Sequence, residues 1–242
     1  EFLFRQGYSL TETYVELLAQ RSKGNPLFIR EYLALLRAGG FMLREEEHYA
    51  LAPDALKLEI PDSLDAVVQQ RLKALAGDLR ELLAHSSVQG QNFSAQVLSG
   101  TKNEMPASRI FKYLNQLEED YRLVSELEDQ RLVVKVGPEY RFVHALLQQV
   151  LYQDLSEGQR RLLHQVIARL LESLYAENAS THSFSLANHY ELGGNLPRAI
   201  NYYFQACQQA IATQALDEAL QLARKTEELA RRILSSDHRA SA

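Results

Sequence analysis

Apolar residues recur at the three-to-four-residue spacing of an amphipathic helix through most of this chain, and the period changes over 41–53 and 121–143. A chain patterned in this way is expected to fold as packed helices with a little sheet. Ser9 and Glu12 have the S-x-x-E spacing of a capping box, and Leu10, Tyr14, Leu17 and Leu18 continue at helical spacing. Gly24 should end that helix. Asn25 is a favoured N-cap, and Pro26 suits the first helical position, where its missing N–H would have no intrahelical partner. Phe28, Ile29, Tyr32, Leu33 and Leu36 then form an apolar face that runs to Gly39-Gly40. The first expectation is a helical hairpin.

In "FMLREEEHYALAP", 41–53, apolar residues flank a charged centre, which predicts a short β-hairpin or an extended loop. Pro61 is expected to open a helix carrying Leu64, Val67, Val68, Leu72 and Leu75, and Asp78 to cap one carrying Leu79, Leu82 and Leu83. A short helix over 94–98 and a longer one over 106–119 follow. Residues 121–143 show β-branched alternation, a Glu-Asp-Gln turn and a break at Gly137-Pro138, so two or three short antiparallel strands are expected. Helices that end in a β-hairpin are the pattern of a winged helix. From Ala145 the helical period returns, with a second capping box at Ser156 and Gln159 and a polar linker over 177–183. Ala187, Tyr190, Ala199, Tyr203 and Ala206 have the small and aromatic spacing of a tetratricopeptide (TPR) unit, with Gly193-Gly194-Asn195 as its turn. The expected class is therefore mainly α. The chain divides into a helical hairpin segment (1–55), a winged-helix domain (56–156) and the start of a TPR-like array (157–242), which is expected to continue past the C-terminus.

A formal net charge of −5 argues against an electrostatic nucleic-acid binder. The 106–119 helix supplies Arg109 and Lys112 but ends in Glu118, Glu119 and Asp120, a poor surface for phosphates and base edges. No apolar run approaches the roughly 18–20 residues that span a bilayer, and no signal-peptide pattern opens the chain, so a cytoplasmic protein without membrane partners is expected. Cys207 is the only cysteine, which excludes an intramolecular disulfide and a cysteine-based metal site. The chain has no phosphate loop, no G-x-G-x-x-G, no G-x-S-x-G and no H-E-x-x-H among its seven histidines. No catalytic residue and no metal ligand set is expected. His182 and His189, seven apart, are read as core-edge or surface residues.

"GNPLFIREYL", "EIPDSLDAVVQQRL", "YRFVHALLQQVLYQDL" and the TPR-like tail, in that order, resemble the region after the nucleotide-binding core of STAND ATPases (signal-transduction ATPases with numerous domains). The likeness is to the large bacterial regulators and the cyclase- or kinase-linked proteins of that class, and it runs from about Leu10 to Leu229. It implies an upstream ATPase core in cis that holds ADP or ATP with Mg. It also implies a helical domain whose G-x-P motif, here Gly24, Asn25 and Pro26, packs near the base. A histidine that ends the winged helix, here His144, would contact the β-phosphate. Ala145 departs from the related NB-ARC form, where an aspartate often follows that histidine. The implied role is regulatory: this segment, itself no enzyme, would pass nucleotide state to repeats that bind a protein partner. Two alternatives stand beside it. One is a nucleotide-independent interaction scaffold binding protein through Tyr190, Tyr202 and Tyr203; the other is a winged-helix DNA-binding regulator.

Overall fold

The computed structural model describes residues 8–45, 48–52, 55, 60–102, 105–127, 137–176 and 182–240. Among them are eleven α-helices and two small three-stranded sheets, the mainly α class that the periodicity predicts. The first unit holds β1 (Tyr8–Ser9), α1 (Glu12–Ser22), α2 (Pro26–Ala38), β2 (Met42–Glu45) and β3 (His48–Leu51). Between α1 and α2 the chain turns through Lys23 and Gly24, both at positive φ, and the Asn25 side chain accepts a hydrogen bond from the Leu27 N–H at 3.0 Å. Gly24 sits at φ +77°, which glycine adopts without the Cβ clash of other residues. Within 41–53, β2 pairs antiparallel with β3, and β1 adds to β3 in parallel. Ser9 does not cap α1, because it belongs to β1 and is paired with Ala50; Thr11 precedes the helix and makes no side-chain cap bond. Tyr14, Leu18, Phe28, Tyr32 and Leu36 fill this unit's core, where the Tyr14 and Tyr32 hydroxyls hydrogen-bond at 2.9 Å.

The second unit runs α3 (Leu64–Lys73), α4 (Gly77–Ser87), β4 (Asn92–Ser94), α5 (Ala95–Thr101), α6 (Ala107–Glu119), β5 (Val124–Glu126), β6 (Glu139–Phe142) and α7 (Ala145–Asp154). Ser63, not Pro61, starts α3, since its hydroxyl can accept the Ala66 N–H at 3.2 Å. Asp78 lies inside the first turn of α4 and accepts a hydrogen bond from the Tyr113 hydroxyl of α6 at 3.0 Å, so it ties two helices rather than capping one. The 94–98 helix exists as α5, but it is preceded by a strand that the periodicity does not reveal. Ser94 both ends β4 and caps α5 through the Gln96 and Val97 N–H groups. The sheet order is β4-β6-β5, antiparallel throughout. The Glu-Asp-Gln turn and the strand expected around Val133 lie outside the described residues.

The third unit contains α8 (Glu157–Leu174), α9 (Ser183–Leu192), α10 (Leu196–Ala212) and α11 (Leu216–Ala240). The Ser156–Gln159 capping box is formed in both directions. Most of the linker, 177–181, lies outside the described residues; Ser183 opens α9. Buried Ala187, Ala199, Ala206 and Ala210 let α9 and α10 approach closely beside the larger Tyr190 and Tyr203.

Shared helices join the units. On α3, Val67 packs into the first core while its neighbour Val68 packs into the second. On α8, Ile167 packs against Val88 and Val97, and the adjacent Ala168 belongs to the third core. Consecutive side chains lie about 100° apart around a helix, so one helix can serve two cores.

Candidate functional site

Helix α2 places a charged side chain on its buried face. Glu31 is 3% exposed, between Phe28 and Tyr32 and the rest of the first core. Its carboxylate pairs with Arg71 of α3, which is 5% exposed, and the second arm of that guanidinium donates to the Tyr121 carbonyl after α6. A buried ion pair is tolerated only where geometry and further hydrogen bonds offset the desolvation of both charges. Here the second arm of Arg71 supplies one such bond. His144, the residue before α7, packs over the pair: its Nε2 is 3.3 Å from Glu31 Oε1, and Arg30 contacts its ring. Burial, then the Arg30 charge, holds the His144 imidazole below its ordinary pKa, with Glu31 opposing and Arg71 adding to the depression. The ring is therefore neutral near pH 7.

A cleft of about 410 Å³ opens beside this pair, between the first and second units. Glu31, Leu33 and Ala34 of α2 form one side, and Arg71, Arg122 and Val143 the other. The β1–β3 register sets Tyr8 beside Tyr49, with ring centroids 5.7 Å apart. Arg37 lies 5.7 Å from the Tyr8 centroid and 5.5 Å from that of Tyr49, within reach of cation–π attraction to both. Burial pushes the Tyr8 hydroxyl up, against the pull of Arg37. Arg122, in the turn between α6 and β5, has φ +50°, an uncommon conformation for a residue with a Cβ. Among the described residues Glu31 is the one carboxylate lining the cleft, against Arg30, Arg37, Arg71 and Arg122.

Gly24, Asn25 and Pro26 are exposed and start α2; none of them lines the cleft. His144 meets that same helix one turn further on, at Arg30 and Glu31. The fold thus brings the two implied nucleotide-contact positions to one helix. Tyr190, Tyr202 and Tyr203 are largely buried in the third core, where they pack helices together; Tyr190 and Tyr203 also reach the edges of surface clefts. Tyr190 and Tyr202 stack in parallel and both donate to Glu172 of α8, while Tyr203 donates to Glu191 at 2.9 Å. The two histidines seven apart also separate: His182 stacks on Tyr175, and His189 is buried with its Nδ1 2.9 Å from Nδ1 of His164.

Sequence reasoning passed over Arg30, Glu31, Arg37, Arg71 and Arg122. A signal existed for two of them: Glu31 sits among Phe28, Tyr32 and Leu33, and Arg71 among Val67, Val68 and Leu72, charged residues at core spacing. Among the described residues no three His, Cys, Asp or Glu side chains gather as a metal site, and the arginines suit phosphate oxygens. No helix among the described residues is long and apolar enough to cross a membrane. No protein-family model matches the chain, and comparison with curated proteins and with solved structures gives no match.

Proposed function

We propose that this chain is a regulatory segment that couples the nucleotide state of an upstream ATPase core to a helical-repeat unit. In this reading α4 to β6, in the order helix–strand–helix–helix–strand–strand, is a winged helix, and α9 to α11 begin a TPR-like array. The observation that carries it is the contact of His144 with Arg30 and Glu31 on the helix that Pro26 opens. A nucleotide held by the core would supply phosphate charge near this junction. Pro26 offers a ring with no N–H to leave unsatisfied against a base. His144 stands before the N-terminus of α7, where the helix dipole favours negative charge. Glu31 and Arg71 meanwhile hold α2 against α3, so a change at this joint alters how the first and second units sit together. The states then differ in population according to which one the nucleotide contacts better. ADP titration of the chain joined to its native upstream sequence tests this. Pro26→Ala and His144→Ala should each weaken ADP binding; unchanged affinity in both contradicts the coupling.

A second reading, a nucleotide-independent scaffold, draws support from Phe184, Phe204, Ile211, Leu216 and Leu220, large apolar side chains exposed on the third unit. A partner captured through 183–233 irrespective of nucleotide favours it.

A further inference from the structure

We propose that the cleft between α2 and the Tyr8–Tyr49 edge is an anion site of this chain alone, taking a small phosphate-bearing molecule through Arg30, Arg37 and Arg122. The site does not need an upstream core, so it stands or falls apart from the coupling reading.

The charge balance points to a ligand. Arg71 is committed to Glu31 and to the Tyr121 carbonyl, which leaves three guanidiniums facing one cleft. Arg30 contacts the His144 ring, and among the described residues Arg37 and Arg122 have no carboxylate partner. A guanidinium cannot escape such crowding by losing its proton. Cleft walls of low polarity, here Leu33, Val143 and the tyrosine rings, concentrate the resulting positive field.

One of the cations is also held before any ligand arrives: Arg37 lies against the two tyrosine rings. Arg122 is carried on a left-handed backbone in the turn between α6 and β5. A single carboxylate accepts one guanidinium fork. A phosphate group, with about two negative charges and three peripheral oxygens, matches three. The volume of about 410 Å³ lies in the range of small-molecule sites and admits a diphosphate. His144 does not line this cleft, so it is not among the groups that read the phosphate here.

Inorganic pyrophosphate is the probe, titrated calorimetrically into the 242-residue chain with inorganic phosphate and an oligoglutamate peptide in parallel. Pyrophosphate should bind more tightly than phosphate, and the peptide should bind least. Arg37→Gln should weaken pyrophosphate about tenfold or more, as loss of a charged hydrogen bond does. Arg122→Gly removes the guanidinium while keeping a residue that favours the left-handed backbone, so it should weaken binding as much in a protein that still folds. Arg109→Gln, on the exposed face of α6, should leave binding unchanged. Equal affinity in the wild type and in both cleft variants overturns the proposal. So does equal weakening by Arg109→Gln, or tighter binding of oligoglutamate than of pyrophosphate.

Discussion

Glu31 and Glu172 are the centres of two polar clusters, one at the joint of the first two units and one inside the third. Glu172 is satisfied by its neighbours: the Tyr190 and Tyr202 hydroxyls and Arg198 all donate to it. Burial alone would raise its pKa, but those three donors hold the carboxyl below its ordinary value. One carboxylate meets one cation there, and the two tyrosine rings stack in parallel beside it. Around Glu31 the proportions differ, with four arginines to one carboxylate lining an open cleft among the described residues. A balanced cluster needs nothing more and serves the fold. In the unbalanced one Arg37 and Arg122 have no carboxylate partner among the described residues, and that is where a ligand can contribute.

The comparison can be broken first at Glu31. Glu31→Gln leaves the Arg71 charge buried and uncompensated, so urea unfolding should show a loss of about 3–5 kcal/mol. The double variant Glu31→Leu with Arg71→Met removes both charges and should recover most of that loss. A double variant no more stable than the single would mean that the pair is not the joint's main polar contact.

Acidification gives the next largest effect, and part of it falls on the third unit. His164 is pushed down to about 4 by burial and by Arg160, and His189 is pushed down by burial and by His164. Both folded values lie below the ordinary 6.5, so the unfolded chain binds the extra protons. Stability is full above about 6.5 and falls as pH drops toward about 4, at most about 1.4 kcal/mol per pH unit for each histidine. His164→Gln should flatten that slope in pH-dependent melting, and an unchanged slope would remove the histidine pair as its source.

Glu172→Gln should cost less, about 1–2 kcal/mol, because part of the hydrogen bonding survives and the group is partly open to water. It should leave pyrophosphate binding untouched, which sharpens the contrast with Glu31. The smallest change is Asn25→Ala. It removes the cap on α2 and should lower stability by about 1 kcal/mol in denaturant melts.

Periodicity made most helices and the 41–53 strand pair legible, because the helical face and its caps are local. The Ser156–Gln159 box is a case in which two side chains and two backbone groups within four residues decide the outcome. What stayed hidden is non-local. β1 exists because Tyr8 and Ser9 pair with residues forty positions away, and β4 because Asn92–Ser94 pair with β6. The same holds for the cleft: Arg37 and Arg122 converge only once two units pack, so no spacing in the sequence announces them. The three tyrosines are ambiguous for a different reason, since aromatic residues at repeat spacing look alike whether they face a partner or a neighbouring helix.

The central claim is that the first joint, and not the third unit, responds to an anion. Amide hydrogen exchange of the intact chain with and without inorganic pyrophosphate tests it most directly. Slower exchange confined to α2, β3 and the turn from Tyr121 to Val124, with 183–232 unchanged, is the predicted result. Protection spread evenly over the chain, or confined to the third unit, would contradict it.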